Sequence, residues 1–179
     1  LIRGEKILDV VSIQEIPSYC PVEDIGNDVI MPGLVDTHVH INEPGRTDWE
    51  GFETATKAAT AGGITTLVDM PLNCIPVTTT VDALKQKLLV TQDKLWVDCG
   101  FYGGLIPGNI QDLESLADAG VLGFKAFLSH SGIDEFPNIT EEHLREALPV
   151  FTKKGVPVLI HAELENDVRF IRSRKDYTG

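Results

Sequence analysis

From residue 34 onward the chain repeats one pattern: a short apolar run, a polar stretch with helical spacing, then another apolar run. The runs are LVDTHVH (34–40), TTLVDM (65–70), LWVDCGFYGG (95–104), VLGFKAFL (121–128) and VPVLIHA (156–162). Their starts fall about 30 residues apart, the size of one strand–helix unit. They are nearly continuous in apolar character rather than alternating, as expected of strands covered on both faces. Strand–helix alternation predicts a parallel sheet, open or closed.

The segments between the runs carry helix signals. Val81, Leu84, Leu88 and Leu89 recur at helical spacing behind Thr80, a residue suited to the N-cap. Ile110, Leu113, Leu116 and Ala117 share a face that ends at Gly120. Thr140 opens a segment that Gly155 closes, and Pro149 inside it predicts a kink or an early break. Gly62-Gly63 ends the first helix, for which Asp48 is the expected cap and Trp49 a packing residue. No glycine-rich phosphate fingerprint follows the early strands. Ligand-type residues instead gather at the C-terminal ends of several strands, where barrel active sites are built. Residues 1–32 differ in texture: LIRGEKILDVV and DVIMPG read as short strands broken by Gly and Pro.

Composition narrows the function. Of 179 residues 42% are hydrophobic, as in ordinary soluble globular chains. Lys plus Arg is 15 against 27 for Asp plus Glu, giving a formal charge of -12. That balance argues against nucleic acid and anionic membrane surfaces as partners. No apolar run approaches the roughly 20 residues that span a bilayer. The odd, scattered Cys20, Cys74 and Cys99 read as reduced thiols, so an intracellular location, cytoplasmic or organellar, is expected. Cys74 and Cys99 are expected to be structural rather than nucleophilic, because no base partner is implied.

The chemistry-bearing residues sit at strand ends. His38 and His40 are alternate residues of one strand and so face the same side. They make half of a site for Zn²⁺ or a similar ion, or else two locally hydrogen-bonded polar residues. His161 ends a later strand. Lys125, within GFKAFL, is flanked by apolar residues, and a lysine there is costly unless paired or neutralised. A salt bridge to Asp69 or Glu163 is one answer; carbamylation by CO₂, which gives an anion able to bridge two metals, is the other. Glu163 shares a face with His161 and is placed to orient it. His143 lies in a polar helix and is expected to be solvated.

H-x-H ending the first barrel strand, a buried lysine on the fourth and a histidine ending the fifth resemble the amidohydrolase superfamily. IMPGLVDTHVHINEPGRTD (30–48) resembles its cyclic-amide branch of dihydroorotases, hydantoinases and allantoinases. The resemblance implies a metal-dependent (β/α)₈ TIM-like barrel, of which residues 31–179 would supply about the first five β/α units. Residues 1–30 would be part of a small N-terminal β-sandwich. It implies two divalent ions, presumed zinc by ligand type, on His38, His40, Lys125 and His161, with Lys125 carbamylated. Such ions polarise a carbonyl and activate water for attack on a cyclic amide. The family also needs a further histidine from the sixth strand and a general-base aspartate from the eighth. Those are expected beyond residue 179, so this chain alone is expected to be inactive. A homo-oligomer is implied, the tetramer being typical.

Two departures bear on the substrate. Dihydroorotases carry an arginine two residues after the second histidine, suited to a carboxylate; here that position is Asn42. Dihydropyrimidinases carry a tyrosine five residues after the lysine; here that position is His130. The stretches HINEPGRTDWEGFETATKAATAGGITTLVDMPLN and GFKAFLSHSGIDEFP resemble the allantoinases, which implies hydrolysis of allantoin to allantoate. Asn42, Asn73 and Ser131 suit a neutral, amide-rich ring, or else cap their own loops. Dihydroorotate, a dihydropyrimidine or another hydantoin is the alternative substrate. A non-catalytic assembly protein is the third reading, against which the retained ligand residues argue.

Overall fold

A computed structural model describes residues 1–163, and the chain divides into two compact units that meet between Pro32 and Gly33. In the first unit β1 (Ile2–Arg3) and β2 (Lys6–Ile7) pair antiparallel, Ile2 opposite Ile7 and Arg3 opposite Lys6. Gly4 turns the chain between them at φ +59°, a conformation that L side chains resist. A 3-10 turn follows over Ile13–Glu15, its start held by the Glu15 carboxylate, which accepts from the Ser12 backbone N–H at 3.0 Å. The strand expected in DVIMPG does not form. Its backbone finds no ladder partner among the described residues, and an unpaired strand has no independent stability. Val10, Val29 and Ile30 lie exposed in this unit.

The second unit is α/β. It runs β3 (Leu34–Val39), α1 (Phe52–Ala61), β4 (Ile64–Asp69), α2 (Val81–Val90), β5 (Asp98–Phe101), β6 (Gly103–Gly104), α3 (Ile110–Asp118), β7 (Phe124–Phe127), α4 (Glu141–Lys154) and β8 (Val158–His161). Two parallel ladders form, in the orders β3-β4-β5 and β6-β7-β8. The single strand expected over 95–104 is therefore two. Phe101 pairs with Asp69 of β4, whereas Gly103 pairs with Phe124 of β7, and Tyr102 is the switch between ladders. Backbone bonds across the switch, Tyr102 N–H to Asp69 O (3.0 Å) and Leu122 N–H to Phe101 O (2.9 Å), make the ladders neighbours in one wall. Parallel strands in sequential order, with helices on one side, build a barrel wall.

The helices pack outside this wall. Phe52 meets Phe101 edge-on at 6.0 Å, and Phe124 stacks on Phe151 at 4.8 Å. Leu113 and Leu116 of α3 are fully buried, as their spacing predicts. A second apolar cluster joins Val68, Met70, Tyr102, Phe127 and Phe136. Gly104 admits the Phe136 ring to this cluster, because a Cβ there would collide with it.

Helix ends follow the sequence signals in part. Thr80 caps α2 by accepting from Ala83 N–H at 3.2 Å. At α4 the Thr140 hydroxyl accepts from His143 N–H (3.5 Å) while His143 Nδ1 accepts from Thr140 N–H (3.1 Å). Gly155 ends α4 at φ +64°. Two expectations fail, and of the kink or early break at Pro149 the break does not occur. Pro149 does not break α4, which runs on to Lys154; residue 149 is exposed, so the carbonyl that loses its partner is free to reach water. Asp48 does not cap α1, since Gly51 precedes the first turn and Glu43 accepts from Phe52 N–H at 3.0 Å. Trp49 is 61% exposed and lies under the Arg46 guanidinium rather than in the core. The face of α2 differs as well: Ala83, Leu84 and Lys87 are buried, and Leu88 and Leu89 are exposed. Among the described residues no helix is long and apolar enough to cross a membrane.

Candidate metal centre

His38 and His40 stand at the C-terminal end of β3. The period of two puts them on one side, with ring centroids 5.5 Å apart. The Asp36 carboxylate accepts from the His38 backbone N–H at 3.0 Å. Burial lowers the His40 pKa, and the electrostatic influence of the neighbouring His38, Lys125 and Lys87 lowers it further. The imidazole is thus held neutral, the form that ligates metal.

Lys125 lies in β7, a strand buried along its whole length, and is 4% exposed. The salt bridge offered as its alternative is absent among the described residues, because both carboxylates are engaged elsewhere. Asp69 pairs with Lys87, and Glu163 approaches His161 Nε2 at 3.3 Å. The Lys125 ammonium faces the Phe127 ring at 4.9 Å, and Phe127 also stacks on His161 at 5.0 Å. The register Phe127 opposite His161 in the β7–β8 ladder sets that stack. Burial lowers the Lys125 pKa, which favours the neutral amine.

Two imidazoles on one side of β3 and a buried lysine with no carboxylate partner among the described residues suit a divalent ion of borderline character. Among the described residues no three His, Cys, Asp or Glu side chains gather to hold a metal. His161 is turned toward Glu163 rather than grouped with His38 and His40.

The three candidate substrate residues differ in their surroundings. The Asn73 amide lies 3.4 Å from His40 Nδ1, and its backbone sits in the left-handed region at φ +70°. Asn42 is buried, and its Oδ1 has no hydrogen-bond partner in the described structure, a costly state that a donor would relieve. The Ser131 hydroxyl is used within its own loop, 2.6 Å from Phe136 O and 3.1 Å from Ile133 O. His130 is exposed and accepts from Gly132 N–H at 3.1 Å. His143 serves as a cap residue, half-buried rather than solvated.

Two features were not foreseen from the sequence. Arg46 donates to Asn73 O at 2.9 Å and to Glu135 Oε1 at 2.8 Å, so it joins the loops after β3, β4 and β7. Asp69 and Lys87 form an ion pair in which neither side chain is more than 1% exposed. A signal for Lys87 existed, since it follows Leu84 by three residues and therefore shares its helix face. The Cys99 thiol is pushed up to about 12 by burial and then by Asp69, which suits a structural cysteine. A cavity of about 660 Å³ opens at the opposite end of the sheet, among Gly63, Thr65, Trp96 and Asp98, and holds none of the candidate ligands.

Residues 29–176 match the amidohydrolase family. The chain belongs to that family. Its relatives among amidohydrolases include an allantoinase of Streptomyces avermitilis, 58% identical over 149 residues, covering 83% of this chain and 34% of the relative. An allantoinase of Saccharomyces cerevisiae is 48% identical over 183 residues, covering 100% of this chain and 40% of the relative. The solved L-hydantoinase (dihydropyrimidinase) from Arthrobacter aurescens superposes with a TM-score of 0.71 at 36% identity, covering 75% of this chain and 30% of that one. The chain thus spans 30% to 40% of the length of these amidohydrolases. Members of the superfamily generally bind divalent metals, and its fold is the TIM barrel.

Proposed function

We propose that the protein containing these residues hydrolyses allantoin to allantoate with the help of divalent metal. The observation that carries this reading is the 58% and 48% identity to proteins named allantoinase, over stretches that include His38, His40, Asn42, Asn73 and Lys125. In this reading His38, His40, Lys125 and His161 hold two ions, zinc by ligand type. When bound, the metal supplies Lewis-acid polarisation of the scissile carbonyl and lowers the pKa of water.

The chain's own groups prepare that site. Burial keeps His40 neutral and its lone pair available. Lys125 is buried without a carboxylate partner among the described residues, and its neutral amine can add CO₂ with loss of a proton, replacing a cation by a carbamate. Asn42 offers an unpaired amide oxygen, and Asn73 an amide beside His40; both suit the N–H and C=O edges of a hydantoin ring bearing a ureido tail. Neither carries the charge that a ring carboxylate would require. Ser131 is the weaker contact of the three, because its hydroxyl is already engaged. We also assign residues 1–30 to a small β-sandwich, whose second layer would cover Val10, Val29 and Ile30, and residues 31–179 to the barrel. The free cysteines accord with an intracellular site, and a homo-oligomer is the assembly we infer.

A second reading, hydrolysis of a plain hydantoin or a dihydropyrimidine, draws on the likeness to the Arthrobacter enzyme. Ring-opening rates of the full-length protein on allantoin, hydantoin, dihydrouracil and dihydroorotate separate the two. Allantoin is expected to have the highest kcat/KM; a higher value for any of the others overturns the proposal.

A further inference from the structure

The ladder between β3 and β4 stops just short of His40. Its last rung pairs Val39 with Asp69, and Met70 N–H donates to Val39 O at 2.8 Å. Beyond that point no backbone of β4 is available to hold β3. The side chain of Asp69 takes over: its Oδ1 accepts from Ile41 N–H at 2.7 Å. His40 is therefore fastened on both sides, through Val39 O before it and Ile41 N–H after it.

The second carboxylate oxygen of Asp69 meets the Lys87 ammonium, which also lies 3.4 Å from Met70 O. Both oxygens of Asp69 are thereby fixed, one to the β3 exit and one to helix α2. Stability is a poor explanation for such a pair. Buried ion pairs are often no better than apolar residues of the same volume, because both ions must be desolvated. What the pair does provide is a charge-assisted, rigidly aimed acceptor, which binds an N–H more strongly than a neutral one.

We propose that Asp69, with Lys87 as its counter-charge, is a positioning residue for the metal centre: it clamps the peptide after His40 and so fixes where that imidazole is presented. This inference rests on the metal-centre reading above. Neither residue is a candidate ligand, and Asp69 acts on His40 only through the backbone.

The test uses two paired variants of the full-length protein that both remove the buried charges. Asp69→Asn/Lys87→Met keeps an oxygen able to accept from Ile41 N–H. Asp69→Leu/Lys87→Met does not. Zinc affinity is measured on the metal-stripped proteins by competition with a chromophoric chelator, alongside their melting temperatures. The Asn pair is expected to bind zinc within threefold of wild type. The Leu pair is expected to lose tenfold or more, the range seen when groups supporting a ligand are removed, at a melting temperature close to that of the Asn pair. Equal zinc affinity in the two pairs overturns the proposal, as does a tenfold loss in the Asn pair. Should the Leu pair not fold, Asp69→Ala/Lys87→Met makes the same comparison. Wild-type protein that binds no zinc or other divalent ion overturns the metal-centre reading itself, an outcome distinct from equal binding by the variants.

Discussion

Replacing Lys87 with Met, which has a similar length and no charge, leaves Asp69 as a buried carboxylate without its counter-ion. Removing one member of a buried pair typically costs about 3–5 kcal/mol, because the remaining charge is stranded. Lys87 and Asp69 are 1% and 0% exposed, so solvent cannot take over the lost role. The cost depends on pH. Burial raises the Asp69 pKa from 3.8 to about 6, against the attraction of Lys87 and the bonds from Lys87, Ile41 and Met70 that lower it. With a folded-state pKa above its unfolded value, Asp69 stabilises the fold below the unfolded pKa, and that contribution is lost as pH rises through the folded one. Deleting Lys87 removes the main groups that hold the pKa down, so the window extends upward. The variant should therefore be close to wild type near pH 4 and show its full loss at neutral pH. Urea unfolding of the metal-free protein at both pH values measures this. A loss under about 1 kcal/mol at neutral pH, or an equal loss at both, would show that Asp69 is not held as a buried anion.

Three further outcomes are expected. His40→Ala or His38→Ala should sharply lower the metal retained after dialysis; retention at wild-type stoichiometry would remove both from the ligand set. Lys125→Ala should lose binuclear metal, with partial recovery in small carboxylic acids, and the native protein should show the mass of one added CO₂ when handled under native conditions; an unmodified amine in metal-loaded protein would rule out the carbamate. Gly104→Ala should destabilise by about 1–3 kcal/mol, the usual cost of overpacking, since the new methyl meets the Phe136 ring; an unchanged unfolding midpoint would refute that contact.

What the sequence showed and what it hid follow from the range of the interactions. The strands from residue 34 and the histidine pair were legible because a strand's period of two is local. Thr80, Thr140 and Gly155 were legible because caps satisfy groups within a few residues. The buried face of α2 was misread because Lys87 looks like a surface lysine until its partner, 18 positions earlier, is known. Nearness favours Asp48 as a cap, whereas the acceptor used is Glu43, nine residues before Phe52. The run 95–104 gave no sign that its two halves serve different neighbours, since Tyr102 breaks a hydrogen-bond register and not a hydropathy pattern. For the site, residue types and the approach of Glu163 to His161 are readable from spacing along one strand, but the tie from Arg46 to Glu135, 89 positions later, is not.

The guanidinium of Arg46 ties together loops that leave three different strands, and its two tethers differ in kind. The link to Asn73 ends on a backbone carbonyl; the link to Glu135 ends on a carboxylate that is 43% exposed. Ionic strength therefore acts on one tether and spares the other. High salt weakens the hold on the β7 loop while the β4 loop keeps its seat beside His40. The same asymmetry shapes how the rim of this site can diverge: a change at Glu135 releases the β7 loop from Arg46, whereas an exchange at Asn73 keeps the backbone link only where the new side chain tolerates φ +70°.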